Sequence, residues 1–146
     1  MLKELTREFT QNLSKELRKL SEEDKLFFSP HGFEPESIGN LTKEKGNHFY
    51  LYLAGSSKFA GYGMLRTFGK YEIPTLGCVI WPEHRGHGNG KKLVEELIDK
   101  ARELEYKKVR LRVHRNNKTA FQLYQKTGFK PTGKSEGELI WMEVTT

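Results

Sequence analysis

Hydrophobic positions in the first 45 residues recur at the spacing of a helix. One amphipathic helix is predicted from side chains three or four positions apart: Phe9, Leu13, Leu17 and Leu20. Residues 22–24 either extend this helix or begin another turn, and a second short helix is predicted over 34–45. The aromatic stretch 27–33 contains proline and glycine, which indicates a loop. A short strand over 2–6 precedes this mostly helical segment.

From residue 46 the pattern changes to short apolar runs of high strand propensity. Three strands are predicted over 48–53, 59–67 and 73–80, and each turn between them contains glycine. Pro74 and Gly77 lie inside the third run, where they indicate an edge position, a bend or a bulge. The first two runs are expected to form a hairpin.

A strand–loop–helix–strand unit follows in the middle of the chain. Its helix is predicted from one apolar stripe: Leu93, Val94, Leu97, Ile98, Ala101 and Leu104. Residues 108–114 then alternate strictly, so the apolar positions face one side and the polar positions the other: Arg110, Arg112 and His114. Two strands joined by a helix pair in parallel, whereas the hairpins on either side pair antiparallel.

The C-terminal part of the chain adds one helix and the last strands. Asn117 is a suitable N-cap for a short helix that Gly128 ends. Phe129 and the run 139–144 supply the final strands. The whole order of elements favours an α/β (α+β) fold, with one mixed sheet and helices on both faces.

A glycine-rich segment, Arg85-Gly86-His87-Gly88-Asn89-Gly90, lies between the third strand and the long helix. A strand that turns through glycines into a helix leaves backbone N–H groups free to bind phosphate. A P-loop does not fit, because Arg85 stands where its first glycine belongs. A dinucleotide fingerprint does not fit either, because Lys91 stands at its last glycine. The pattern that fits is Arg-x-x-Gly-x-Gly, which by itself is equally compatible with a surface turn.

A second segment makes the interpretation specific: Asn117-Lys118-Thr119-Ala120-Phe121-Gln122-Leu123-Tyr124-Gln125-Lys126-Thr127-Gly128-Phe129. With the glycine loop about thirty residues before it, the chain resembles the GCN5-related N-acetyltransferase (GNAT) family over roughly residues 46–145. The resemblance implies a single domain, 1–146, on a mixed, mostly antiparallel sheet of six or seven strands. Residues 1–45 would form a helical acceptor-side segment, and 46–146 the core with the acetyl-CoA site. The implied activity is acetyl transfer from acetyl-CoA to a primary amine, by direct attack through a tetrahedral intermediate.

The resemblance also implies which residues hold the cofactor. The N–H groups from Arg85 to Gly90 would bind the pyrophosphate, and the backbone of Val79 and Ile80 would pair with the pantetheine arm. Asn117 would cap its helix and bond the pantetheine amides, although the cap alone explains this residue. Outer phosphate contacts are expected from lysines for which plain solvation is an equal alternative: Lys91, Lys92 and Lys126.

Tyr124 matches the general acid of the family. A phenol pKa of about 10 lies not far above that of a thiol, so donation to a departing thiolate is reasonable, and packing on the core is the alternative role. Many family members carry a glutamate six residues before the position of Ile80, where this chain has Pro74, and the nearest carboxylate is Glu72. Glu72 is therefore the candidate base, and a relay through bound water is an equal alternative. Three further side chains are also open as the base: Glu83, His84 and His114.

Composition and charge agree with this interpretation. The 146 residues suit one domain, and the net charge of +6 favours anionic partners such as a phosphorylated cofactor. The basic residues are scattered and no apolar run is long enough to cross a bilayer, so neither nucleic acid nor a membrane is expected as a partner. The single cysteine, Cys78, excludes an internal disulfide, and a cytoplasmic protein without a signal peptide is expected. Cys78, His84 and His87 together are only a weak candidate for a metal site, because a second pair of ligands is missing.

Two functional hypotheses follow. The preferred one is an N-acetyltransferase that acts on the amine of a small molecule or a protein. The aromatic stretch 27–33 and three tyrosines, Tyr50, Tyr52 and Tyr62, are expected to line the acceptor pocket unless core packing takes them. The alternative is a non-catalytic coenzyme A-binding sensor or interaction module, which Tyr124 argues against and the missing glutamate favours. The acceptor, the use of another acyl group and the formation of a homodimer stay open.

Overall fold

A computed structural model describes residues 1–55 and 57–146, and these residues form one seven-stranded sheet. Its strands are β1 (Leu2–Glu4), β2 (Asn47–Ala54), β3 (Lys58–Arg66), β4 (Thr75–Ile80), β5 (Lys108–His114), β6 (Lys130–Glu136) and β7 (Leu139–Thr145). They lie in the order β1-β2-β3-β4-β5-β7-β6. Every neighbouring pair is antiparallel except β4 and β5, which are parallel. The mixed, mostly antiparallel sheet expected from the sequence is confirmed.

The helices cover both faces of the sheet, as predicted. They are α1 (Thr10–Arg18), α2 (Glu22–Phe27), α3 (Pro35–Leu41), α4 (Asn89–Glu103) and α5 (Lys118–Lys126). The apolar stripe of α4 packs with Leu76 and Ile80 of β4 and with buried residues of β5, on the face that α5 also covers. Leu13, Leu17 and Ile38 pack with Val79 and Trp81 on the other face. Because side chains alternate along a strand, β4 contributes to both cores.

Several boundaries differ from the prediction: the helix expected over 34–45 ends at Leu41, and the strand expected over 2–6 ends at Glu4. Two further boundaries have a clear local reason. Residues 22–24 begin a separate helix, α2, because the Ser21 hydroxyl accepts a hydrogen bond from the Asp24 N–H at 3.0 Å and caps it. This helix extends to Phe27, which was expected in a loop. The strand expected from residue 73 starts at Thr75, since Pro74 has no N–H to donate to a neighbour.

The edge position and the bulge expected in β4 are wrong. β4 lies in the centre of the sheet, and its register with β3 shows no shift from Thr75 to Ile80. The register shifts occur instead between Tyr52 and Leu53 of β2, and in the β6–β7 hairpin. Gly77 has a packing reason, because a Cβ there would lie 3.2 Å from the side chain of Met64. No helix in the described residues has both the length and the apolar character that a membrane span needs.

Candidate active site

The glycine loop between β4 and α4 presents a row of free backbone amides. After a short 3-10 turn at Pro82–His84, Gly86 and Gly88 adopt positive φ angles of +82° and +80°, and α4 begins at Asn89. Within the described chain, the amides from Gly86 to Lys91 donate to no protein acceptor. Together with the partial positive charge at the start of α4, they form a cradle suited to a diphosphate.

The loop glycines are required for two different reasons. A Cβ at Gly86 or Gly88 would meet nothing within 4 Å, but the positive φ angles strain any other residue. At Gly90 a Cβ would lie 3.2 Å from Leu123 of α5. The first two glycines therefore set the path of the loop and leave space above it, whereas Gly90 lets α4 and α5 approach each other.

The side chain of Arg85 connects the glycine loop to β4 and to α2. Its Nε donates to the carbonyl oxygen of Ile80 at 2.9 Å, and its Nη1 lies 3.2 Å from Oδ1 of Asp24 in α2. Its own backbone N–H donates to the carbonyl of Pro82 at 3.3 Å, because the 3-10 turn closes on it. The free amides of the predicted cradle therefore begin at Gly86 instead of Arg85, and the guanidinium links the loop to α2.

A gap opens between β4 and β5 close to this loop. In the described register the two parallel strands share one pair, Thr75 with Arg110, at their N-terminal ends. Beyond this pair β4 stays bonded to β3, and β5 stays bonded to β7 as far as His114. The facing edges of β4 and β5 are therefore not paired with each other toward their C-terminal ends, where the glycine loop begins.

The direction of the backbone groups in β4 decides which residues face the gap. The carbonyl of Pro74 accepts from β5, whereas the N–H of Trp81 donates to β3. Because these directions alternate along a strand, Cys78 and Ile80 present their backbone groups to the gap, and Val79 bonds toward β3. Of the two residues assigned to the pantetheine arm, Ile80 is the one that the structure brings to the gap.

Tyr124 of α5 reaches the same place from the α4 side of the sheet. The residue is 9% exposed, its ring packs edge-on against Phe129, and its hydroxyl lies 3.6 Å from the sulfur of Cys78. Burial, followed by the neighbouring Cys78, raises the pKa of Tyr124 well above its ordinary value. Burial also raises the pKa of the Cys78 thiol, to about 11. Both groups therefore hold their protons at neutral pH, so Tyr124 can act as a proton donor.

Helix α2 crosses the opposite side of the gap. Asp24 contacts Arg85 of the glycine loop, and the ring of Phe27 lies 5.1 Å from that of His114 at the end of β5. His114 accepts a hydrogen bond at Nδ1 from the backbone N–H of Asn116, at 3.2 Å. This bond occupies Nδ1, so only Nε2 could serve a substrate. Sequence reasoning missed the role of Asp24, for which the acidic run 22–24 was the available signal.

The structure does not bring the other candidate bases into the gap. Glu72 is exposed in the turn before β4, at the end of the strand that lies away from the glycine loop. This placement corrects the assignment of Glu72 as the catalytic base. Glu83 and His84 lie in the 3-10 turn itself. No cluster of three or more metal-ligating side chains is found among the described residues.

The remaining cofactor candidates lie near the two helix ends that border the site. The side chain of Asn117 caps α5 by accepting from the N–H of Ala120 at 3.3 Å. Lys91 and Lys92 are exposed in the first turn of α4, beside the cradle, and Lys126 is exposed at the end of α5. The structure thus shows the capping role of Asn117 and places two of the three lysines beside the free amides.

A buried pair of polar side chains on the α2 side escaped the sequence analysis. The Nδ1 of His31 donates to the carbonyl of Gly32 at 2.7 Å, which leaves Nε2 to accept from the Tyr62 hydroxyl at 2.8 Å. Burial lowers the pKa of His31, so the ring is neutral at pH 7. The pair fixes the aromatic loop onto β3. Tyr50 and Tyr52, expected near the acceptor, are instead buried in the core against α4.

Comparison with known proteins identifies what this arrangement resembles. Residues 14–129 match the family model described as the acetyltransferase (GNAT) family. The chain is 29% identical over 116 residues to "N-alpha-acetyltransferase RimI" of Mycobacterium tuberculosis, an alignment of 76% of this chain and 70% of that protein. It is 30% identical over 117 residues to "Spermine/spermidine N(1)-acetyltransferase" of Bacillus subtilis, covering 70% and 76%. The fold matches a crystal structure of spermidine N-acetyltransferase from Vibrio cholerae with CoA and spermine, with TM-score 0.85, 17% identity and coverage of 99% and 94%.

Proposed function

The chain belongs to the GNAT family of acetyl-CoA-dependent N-acetyltransferases, and we propose that it acetylates a primary amine in the gap between β4 and β5. The relatives are named for acetyl transfer, so the alternative of a non-catalytic coenzyme A-binding module has no support among them. The observation that carries the proposal is the meeting of two features. The free amides from Gly86 to Lys91 and the buried hydroxyl of Tyr124 border the same gap.

The residues around the gap fit acetyl-CoA. The amides of the glycine loop would bind its diphosphate, since a Cβ placed at Gly86 or Gly88 meets only open space. The free N–H of Ile80 would pair with the pantetheine arm, in the manner of an added strand. Acetyl-CoA supplies the thioester acetyl group and a thiolate leaving group. Asn117 can offer its side-chain N–H groups while its oxygen caps α5.

Tyr124 would provide the proton that the leaving thiolate needs. Its burial keeps it protonated, and the Cys78 sulfur at 3.6 Å restricts the position of its hydroxyl. The acceptor amine must lose a proton on the other side of the gap. Because Glu72 lies at the far end of β4, we assign this step to water in the open end of the gap, beside His114.

The acceptor would approach from the α2 side, where Phe27 and His114 meet. The names of the two relatives give an α-amine and the N1 amine of spermine or spermidine as the acetylated groups, and both kinds of group are primary amines. The chain is therefore proposed to acetylate a small-molecule amine or a protein amine.

The test is to replace Tyr124 by phenylalanine and to measure binding and turnover separately. Acetyl-CoA should raise the melting temperature of both proteins equally, whereas kcat should fall by about 10²-fold or more in Tyr124→Phe. Because the pKa of Tyr124 lies well above 10, the wild-type rate should not decline between pH 8 and about 9.5 from loss of this proton. Tyr106→Phe, at a partly buried tyrosine that packs against His48, is the matched control. Equal losses in cofactor binding and turnover would contradict the acid role.

A further inference from the structure

A groove on the α2 side of the sheet contains an arginine that forms no ion pair with any residue the structure describes. It lies on β5, β6 and β7, has a volume of about 290 Å³, and is lined by six residues: Arg110, Thr132, Lys134, Glu136, Trp141 and Glu143. β6 is exposed along its whole length. Arg110 comes from the predicted polar face of β5, and Trp141 and Glu143 come from β7.

The guanidinium of Arg110 lies beside two aromatic rings and forms no ion pair with a described residue. It lies 4.8 Å from the ring centre of Tyr71 and 4.8 Å from that of Trp141, so two aromatic side chains flank it. Its buried Nε has no hydrogen-bond partner, and no carboxylate of the described residues lies within 4 Å of the guanidinium. A guanidinium without a carboxylate partner can offer its outer N–H groups to an anionic ligand.

The carboxylates of the groove are bound elsewhere. Glu143 lies directly across from Arg110 in the β5–β7 register, but its carboxylate contacts Lys108 at 3.3 Å. Glu136 accepts from Trp141 Nε1 at 3.0 Å and lies 3.5 Å from Arg112. The groove therefore offers a free positive charge despite its two acidic side chains.

The position of Arg110 limits the length of its ligand. Arg110 pairs with Thr75 at the closed end of the gap, and Cys78, which contacts Tyr124, lies three residues farther along β4. At about 3.3 Å per residue, the arginine and the reacting centre are about 10 Å apart along the strands. The amine and carboxylate of a free α-amino acid are too close together to span this distance. A polyamine is long enough, but its positive charges would be repelled by Arg110.

We propose that Arg110 binds a carboxylate of the acceptor, and that the acceptor is a peptide N-terminus with an acidic side chain at its second or third residue. An extended peptide advances about 3.3–3.6 Å per residue, so side chains at these positions can reach Arg110 while the amine lies at the gap. This inference rests on the proposed acetyltransferase function. The planar guanidinium of Arg110, with the rings of Tyr71 and Trp141 each 4.8 Å away, can form two parallel hydrogen bonds to a carboxylate.

The experiment compares three acceptors: a peptide with glutamate at residues two and three, its glutamine counterpart, and spermidine. Wild-type kcat/KM should be at least about tenfold higher for the acidic peptide, through a lower KM. Arg110→Gln should reduce this preference to about twofold or less, and Arg110→Lys should restore part of it. Arg102→Gln, at an exposed arginine of α4 outside the groove, is the matched control and should keep the full preference.

A binding measurement separates this inference from the proposed function. Trp141 lies in the groove whereas Trp81 is 1% exposed, so the acidic peptide should change the tryptophan fluorescence of wild type and not that of Arg110→Gln. A melting-temperature shift with acetyl-CoA together with an equal or better rate for the glutamine peptide or spermidine would overturn the inference alone. Absence of that shift would overturn the proposed function and the inference with it.

Discussion

Replacing Asp24 by asparagine should weaken acceptor binding without weakening cofactor binding. Asp24 links α2, the helix that crosses the acceptor side of the gap, to the glycine loop through Arg85 at 3.2 Å. Asparagine keeps the size of the side chain and leaves the Asp24 N–H free to donate to Ser21, so the cap of α2 is preserved. The substitution removes only the negative charge.

The size of the effect follows from exposure. The side chains of Arg85 and Asp24 are 43% and 19% exposed, so solvent screens the pair, and such pairs contribute about 0.2–1 kcal/mol. The loss of a carboxylate from the first turn of a helix costs about 0.3–1 kcal/mol more. We expect the free energy of unfolding to fall by about 1 kcal/mol, which lowers the melting temperature by about 3 °C in a chain of this length. If the same free energy holds α2 over the acceptor, the acceptor KM should rise about fivefold.

Cofactor binding should respond in the opposite direction. Removing a negative charge near a diphosphate in a solvated site contributes on the order of 0.5 kcal/mol, so the Kd for acetyl-CoA should stay constant or fall by about twofold. Calorimetric titration with acetyl-CoA and initial rates at saturating cofactor measure the two effects separately. Glu23→Gln is the control, because Glu23 lies in the same helical turn, is exposed and forms no ion pair among the described residues. Equal KM values in the two variants, or weaker cofactor binding in Asp24→Asn, would refute the role of the Asp24–Arg85 contact.

Two further predictions concern stability. Gly88→Ala should lower the free energy of unfolding by about 1–2 kcal/mol, because Gly88 has a φ of +80° that strains alanine, while the added Cβ meets no atom that could compensate. Gly39→Ala in α3 is the control and should be neutral or stabilising. Urea unfolding midpoints of the two variants measure the difference. Burial lowers the pKa of His31 in the folded state, so the unfolded chain binds the proton more readily. The contribution of His31 to the free energy of unfolding should therefore be fully present above about pH 6.5 and be lost as the pH falls toward the pKa of the folded state. His31→Gln should reduce this slope without abolishing it, since burial also lowers the pKa of His48; an unchanged slope from pH 7.5 to 5.5 would contradict the explanation.

Local pattern was sufficient to predict most of the fold. The strict alternation of residues 108–114 predicted β5 with its boundaries, and the apolar stripe of α4 predicted a helix whose stripe is buried: Leu93, Val94, Leu97, Ile98 and Ala101. The glycines and the helix start predicted the loop that presents free amides. These features depend on neighbours within a few residues, because strand alternation, helical periodicity and glycine torsions are set by the local chain.

Features that depend on contacts between distant segments could not be predicted in this way. The pairing of His31 with Tyr62, the placement of Cys78 beside Tyr124, and the unneutralised guanidinium of Arg110 each join elements far apart in the chain. Glu72 was close to Ile80 in sequence, yet it precedes the whole of β4, whose six extended residues span about 20 Å, so Glu72 lies outside the site. The sequence by itself determined the elements, the loop and the family resemblance. Only the tertiary structure decided which side chains meet, because burial and charge pairing arise where non-consecutive elements pack together.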